Sequence, residues 1–200
     1  MKIIGITSES EGITEVTRIV DALDAGVSYI HLRKPFFSDD DMRKYINAIP
    51  KEYYQRLTLA SNIALFDEFG VGGIHVKHTH CCIAKYPKSV RKSTSCHSID
   101  EVMSLQCDDF DYVFLSPIFD SISKVGYTSR FSMEDLKEIS EKGLLQKVVA
   151  LGGINCCNIA LLRQLDIYGV AVLGFLFNNI TSEEFTHRLN QMILQSNNTQ

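Results

Sequence analysis

Short apolar runs alternate with amphipathic stretches along the whole chain, with a repeat of about 25 residues. The runs Ile3–Ile6, Tyr29–Leu32, Arg56–Ala60, Gly73–Val76, Ser93–Cys96, Asp111–Leu115, Lys147–Leu151 and Val170–Leu173 predict strands. Between them the spacing turns helical, and most starts carry a capping signal. Thr14 opens a helix to Ala25, and Ser38 precedes the acids Asp39, Asp40 and Asp41, which favour a helix N-terminus. Asn62 to Phe69 reads as a short helix closed by Gly70. Ser98 caps a helix to Leu105, with Glu101 at the capping-box position, and Ser132 opens another that ends at Gly143. Asn155 to Leu165 and a terminal helix from Thr181 complete the set. The stretch from His78 to Lys88 predicts a single helical turn stopped by Pro87, and Ser196 to Gln200 a frayed tail. Ser116 to Arg130 is a long polar loop whose length and Gly126 fit a lid.

Eight strands, each followed by a helical segment with no linker between, call for a parallel sheet buried on both faces. The predicted fold is α/β, a single-domain (β/α)8 TIM barrel over residues 1–195. An open doubly wound sheet is the alternative. It would carry a glycine-rich turn after its first strand, where this chain has Thr7-Ser8-Glu9-Ser10.

Composition narrows the function classes. The chain has 200 residues and a formal charge of −4, which gives no basic surface for nucleic acid or a membrane. The apolar run at the N-terminus is too short for a signal peptide and no segment could span a bilayer, so the expected location is cytoplasmic. The six cysteines include the adjacent pairs Cys81-Cys82 and Cys156-Cys157, a spacing that matches no zinc motif or secreted disulfide framework.

Barrel chemistry sits at the C-terminal strand ends. Those ends hold His31, Arg33 and Lys34, then Ser95 and His97, the loop residues Ser121, Ser123 and Lys124, and the glycines Gly152, Gly153 and Gly174. The set is rich in cations and hydroxyls and poor in acids, which suits an anion. Val148–Ile154 and Gly169–Gly174 are β-branched runs that stop on glycine, where main-chain N–H groups can approach a phosphate. A bare tight turn is the other reading of Gly152-Gly153. His31 lies on the same strand face as Arg33 and could act as an acid or base, or as a hydrogen-bonded interior histidine. His75, His78, His80, Cys81 and Cys82 invite a metal reading, although the loop holding them is irregular.

Read in order, His31-Leu-Arg33-Lys34, Gly73-Ile-His75-Val, Ser95-Cys-His97-Ser98, Asp111-Tyr-Val-Phe-Leu-Ser116-Pro117-Ile-Phe119, Ser121-Ile-Ser123-Lys124, Ala150-Leu-Gly152-Gly153-Ile and Gly169-Val-Ala-Val resemble the thiamine phosphate synthase/TenI family over nearly the whole chain. The resemblance implies a barrel that binds a thiazole phosphate. Synthases couple it to hydroxymethylpyrimidine pyrophosphate with Mg2+, releasing pyrophosphate; the TenI branch aromatises a thiazole phosphate carboxylate by tautomerisation. Carried over by position, Gly152, Gly153, Leu173 and Gly174 would hold the thiazole phosphate. Arg33 and Lys124 would meet the pyrophosphate with Ser121 and Ser123, and Ser95 would stand at the pyrimidine site. Lys34 is a neighbouring cation.

The chain departs from the synthase pattern in ways that separate the two branches. Synthases have Gln-x-Arg-x-Lys on strand two, where this chain has His31 and Pro35. Their Asn-Asp after strand three is Ala60-Ser61 here, and a second metal-binding Asp falls at His80. Mg2+ takes hard oxygen ligands, so the resemblance predicts no resident metal site and Mg2+ only for a synthase with a weakened site. A histidine used by tautomerases after strand six is Pro117, which leaves His31 or His97 as the base. The expected function is therefore a thiamine-pathway enzyme, a tautomerase or a divergent synthase. A non-catalytic barrel that binds the thiazole phosphate is the alternative. A homodimer is a further expectation, since barrels of this kind often associate through exposed loops.

Overall fold

The structure, a computed structural model, describes residues 1–77, 83–105, 109–120, 131–177 and 180–197. Eight parallel strands close into a barrel in sequence order: β1 Lys2–Ile6, β2 Tyr29–Leu32, β3 Leu57–Leu59, β4 Gly73–His75, β5 Arg91–Cys96, β6 Tyr112–Leu115, β7 Val148–Leu151 and β8 Gly169–Val172. Pairing of β8 with β1, in the register Lys2↔Gly169 to Gly5↔Val172, completes the ring and excludes the open doubly wound sheet. Gly169 is needed at that seam, because a Cβ there would lie 2.4 Å from the Lys2 carbonyl oxygen.

Alternation along each strand divides the core in two. Ile3, Ile30, Leu32, Leu57, Leu59, Ile74, Val113, Leu115, Val148, Val170 and Val172 point outward and are covered by the helices. Ile4, Ile6, Tyr112, Phe114, Val149 and Ala171 fill the lumen. Lys2 closes its lower end, donating to the hydroxyls of Tyr29 at 3.1 Å and Tyr168 at 2.8 Å.

The helices are α1 Val16–Asp24, α2 Asp39–Asn47, α3 Phe66–Phe69, α4 Ile99–Ser104, α5 Met133–Glu141, α6 Ile159–Leu162, α7 Gly174–Phe177 and α8 Ser182–Asn197. Ser38, Ser98 and Ser132 cap α2, α4 and α5 as the sequence predicts, and Ser132 with Asp135 forms a full capping box. Glu101 reaches one residue further back than a capping box requires, and accepts from the His97 backbone N–H at 2.7 Å. Gly70, at φ 60°, ends α3.

Four elements differ from expectation. Residues 13–15 form a 3-10 turn before α1 without a Thr14 side-chain cap. The helix expected from Asn155 shrinks to α6, because Asn155 and Asn158 spend their side chains on a turn: Asn158 Oδ1 accepts from Asn155 N at 2.9 Å, and Asn155 Oδ1 from Cys157 N at 2.8 Å. The one-turn α7, directly after β8, has no helical periodicity long enough to read. At the C-terminus, α8 continues through Ser196 and Asn197, which the sequence placed in a frayed tail.

Outside the barrel wall, Lys34 is fully buried against Glu15, with Nζ 2.5 Å from Oε2. The same ammonium donates to the carbonyls of Ser8 at 2.5 Å and Glu11 at 2.6 Å, while Glu15 accepts from the Ser8 N–H and the Tyr45 hydroxyl, each at 2.7 Å. Burial pulls the Lys34 ammonium below the ordinary lysine range, and the Glu15 carboxylate opposes that pull. The pair ties the β1 loop to β2, α1 and α2. Removing one partner strands the other, so Lys34→Met is expected to lower unfolding free energy by roughly 3–5 kcal/mol, with partial recovery in Lys34→Met/Glu15→Gln; urea denaturation at neutral pH checks both.

Candidate functional site at the barrel mouth

A cavity of about 470 Å³ opens at the C-terminal strand ends. Its apolar lining comes from Ile6, Leu151, Ala171 and Leu173, and its polar lining from Arg33, Ser95, His97, Ser116 and Arg188. Gly152, Gly153 and Gly174 complete it. Gly152 and Gly153 adopt φ 98° and 64°, both in the left-handed region. A Cβ on Gly152 would lie 2.9 Å from Pro117 Cα, and one on Gly153 2.5 Å from the Asp120 carbonyl oxygen. These glycines are thus required twice, by dihedral and by the approach of the segment after β6. Ile118 N donates to Leu151 O at 2.9 Å and Phe119 N to Gly152 O at 3.1 Å, which continues β6–β7 pairing into the mouth. The Gly153 carbonyl accepts from the Asn155 and Asn158 side-chain amides at 3.3 and 2.8 Å.

Beyond the end of β5, the His97 ring is exposed, with Nδ1 3.2 Å from the Ser116 carbonyl oxygen. A carbonyl only accepts, so Nδ1 carries a proton, and in the neutral tautomer that this bond selects Nε2 is the lone pair. Lower on the same strand, Ser95 Oγ is 3.1 Å from His75 Nε2, and His75 Nδ1 is 3.0 Å from Ser93 Oγ. Ser93 donates to the Ile74 carbonyl at 3.3 Å, so its oxygen accepts from His75 Nδ1–H. His75 Nε2 therefore accepts from Ser95, whose oxygen keeps its lone pairs for the cavity.

His31 lies one layer below Arg33 on β2, 1% exposed, and does not line the cavity. Its Nε2 is 2.7 Å from the Tyr112 hydroxyl, and its buried Nδ1 has no partner among the described residues. The ring contacts His75, Phe114 and Tyr112. Burial, then His75, then Arg91 hold His31 well below the ordinary histidine range. Burial and Arg33 lower His75 to about 4. Both rings are neutral at neutral pH.

The structure brings Arg33, Ser95, His97, Gly152, Gly153, Leu173 and Gly174 to one cavity. Lys34, expected beside the phosphate, points to the opposite strand face and is consumed by Glu15. Ser121, Ser123 and Lys124, and with them the lid expectation, lie outside the described residues, as do His78, His80, Cys81 and Cys82. Arg188 and Phe175 are lining residues that the sequence reading missed, because strand-end reasoning does not reach α7 or α8. The donor set does not fit Mg2+: the described cavity wall contains no carboxylate, and Ser61, in the position of a synthase metal acid, accepts from Lys34 N at 3.0 Å. Among the described residues no group of three or more His, Cys, Asp or Glu side chains could hold a metal. No described helix is long and apolar enough to cross a membrane.

The fold and mouth define a single-domain (β/α)8 barrel whose cavity is built on glycine turns after β7 and β8, a common place for phosphorylated small molecules. Within that class, the chain belongs to the thiamine monophosphate synthase family, whose model matches residues 3–176. It is 31% identical over 128 residues to a thiamine-phosphate synthase of Listeria welshimeri, a match that covers 62% of each chain. It is 25% identical over 193 residues to a thiamine-phosphate synthase of Methanococcus maripaludis, covering 92% of both. A thiamine phosphate pyrophosphorylase from Bacteroides thetaiotaomicron superposes with a TM-score of 0.83 at 27% identity, covering 98% of each chain.

Two expected outcomes follow from this geometry. The unfolded chain protonates His75 at its ordinary value of 6.5, whereas the folded protein refuses that proton until about 4. Stability is therefore full above pH 6.5 and falls as pH drops toward 4, by about 3 kcal/mol from this ring. His31 adds a loss of the same sign. Denaturant midpoints between pH 7 and 4 check this, with a flatter slope in His75→Gln. Gly153→Ala should cost roughly 1–3 kcal/mol in denaturant unfolding, since it adds backbone strain to a steric clash.

Proposed function

We propose that this protein is a thiamine-pathway enzyme that acts on a thiazole phosphate, and that its chemistry is a metal-free proton shift of the tautomerase type. The observation that carries the reading is the pairing of a glycine cradle at Gly152, Gly153 and Gly174 with a cavity wall that, among the described residues, offers a histidine but no carboxylate. Main-chain N–H groups at the cradle would receive the phosphate, and Leu151, Leu173 and Ile154 would flank the ring. Arg33 would meet a substrate carboxylate, which is the matching charge for its guanidinium.

Aromatisation by tautomerisation is redox-neutral. A ring C–H proton passes to His97 Nε2, the electron pair moves through the ring, and a proton is returned to another carbon. Atoms and charge balance with no oxidant and no leaving group. His97 suits the task because the Ser116 carbonyl holds its Nδ1 proton and leaves Nε2 facing away from that contact. His31, neutral and sealed beneath the mouth, supports the lumen rather than the reacting atoms.

The names carried by the relatives favour a second reading, a divergent synthase joining thiazole phosphate to hydroxymethylpyrimidine pyrophosphate. In that reading Arg33 and Ser95 would face the pyrimidine pyrophosphate, and Mg2+ would be recruited chiefly by the substrate's own phosphates. A non-catalytic binder predicts thermal stabilisation by thiazole phosphate without turnover.

Purified protein is expected to aromatise the thiazole phosphate carboxylate, followed by ultraviolet absorbance, with His97→Gln lowering kcat by about 10²–10⁴-fold. Release of pyrophosphate from the two synthase substrates, dependent on Mg2+, would instead establish the synthase. Binding with neither activity would leave the binder.

A further inference from the structure

The glycine cradle is electrically neutral, yet a phosphate monoester carries roughly −1.5 to −2 charges near pH 7. The described cavity wall holds two permanent cations, Arg33 and Arg188. Arg33 extends from β2 and pairs with Glu9, whereas Arg188 comes from α8 and lies beside the β8 turn. Its Nη1 donates to the Phe175 carbonyl at 2.8 Å, one residue beyond Gly174. The guanidinium carbon sits 4.9 Å from the Phe175 ring centroid, and Nη2 pairs with Glu184 one turn earlier on the helix. Three attachments thus fix the plane of the group, and its side chain remains 27% exposed.

We propose that Arg188 is a specificity-determining residue that binds the substrate's phosphate and makes the site select phosphorylated over unphosphorylated thiazoles. The inference rests on the thiazole phosphate reading of the cradle. Two of the five guanidinium N–H groups are used by Phe175 and Glu184, which leaves three with no partner among the described residues. A phosphate at Gly152, Gly153 and Gly174 would lie in the cavity that Arg188 lines, next to the Gly174-Phe175 turn that Arg188 holds. The anchor to the Phe175 carbonyl leaves little side-chain entropy to lose on binding, and the fork suits two phosphate oxygens. Glu184 plays the opposing part. Its carboxylate, 44% exposed, pairs with Arg188 and would have to share it with an incoming anion.

Titration calorimetry with a thiazole phosphate and with the corresponding thiazole alcohol tests this. Wild-type protein is expected to bind the phosphate more tightly. Arg188→Met, which keeps an apolar stem against Phe175, should lose about 10- to 100-fold in phosphate affinity with the alcohol unchanged. Arg188→Lys should recover part of that loss, and Glu184→Gln should bind the phosphate several-fold more tightly with the alcohol again unchanged. A merely structural Arg188 would weaken both ligands together. Arg188→Met that keeps the wild-type phosphate preference overturns the inference and leaves the functional reading intact. If Arg188→Met does not fold, an unchanged phosphate affinity in both Arg188→Lys and Glu184→Gln overturns it. Wild-type protein that binds neither ligand, or both equally, overturns the reading and the inference together.

Discussion

At Gly152 and Gly153 two backbones run so close that neither position has room for a Cβ, and the rest of the mouth depends on that contact. The segment after β6 lies against the β7 turn through the bonds from Ile118 N and Phe119 N. It thereby sets the Ser116 carbonyl, which in turn fixes the tautomer of His97 beyond β5. From the other side, the amides of Asn155 and Asn158 hold the Gly153 carbonyl, so the turn is clamped before α6 begins. One steric constraint therefore couples three strand ends, those of β5, β6 and β7. The glycine turn shapes one wall of the cavity and orients the histidine as well.

Charge around the mouth follows a consistent arrangement. Lys34 is matched by Glu15, Arg33 by Glu9 and Arg188 by Glu184, each carboxylate drawn from the cation's own side of the barrel. None of the three acids lines the cavity. The pairs differ in burial, and burial decides what each can do. Lys34 and Glu15 are sealed, so exchanging partners would cost the desolvation of a stranded ion and the pair stays structural. Arg33 and Arg188 are partly exposed, so their ion pairs are screened by solvent and hold them only weakly.

Much of this was legible in the chain. β-branched runs that stop on glycine marked β7 and β8, and serines before acids marked the starts of α2, α4 and α5. What stayed hidden involved partners distant in sequence or competing local chemistry. Alternation puts Lys34 on the opposite strand face from Arg33, but its partner Glu15 resembles an ordinary acid at a helix start. Asn155 and Asn158 carry a helix-start signal, and they satisfy each other in a turn instead. Arg188 has no strand-end signature, since it enters the cavity only because α8 packs back over the β8 turn. For His31 the face was readable and the depth was not. Two residues along a strand move a side chain about 7 Å, enough to separate a rim cation from a buried ring.

The lumen beneath the cavity is polar without being charged. Two histidines in a barrel core would be costly if charged, and burial together with nearby Arg33 and Arg91 keeps both neutral. Their neutral rings are useful as hydrogen-bonding filler. His31 engages Tyr112, and His75 links Ser93 to Ser95, so polar side chains occupy the lumen without adding charge beneath the cavity. A base that must accept a proton near neutral pH needs an environment that tolerates the cation. Of the three histidines on or just beyond β2, β4 and β5, only His97 is exposed, and its Nδ1 meets a carbonyl. The desolvation that makes His31 and His75 good core residues also keeps them from taking up a proton near neutral pH, so the lumen stays uncharged.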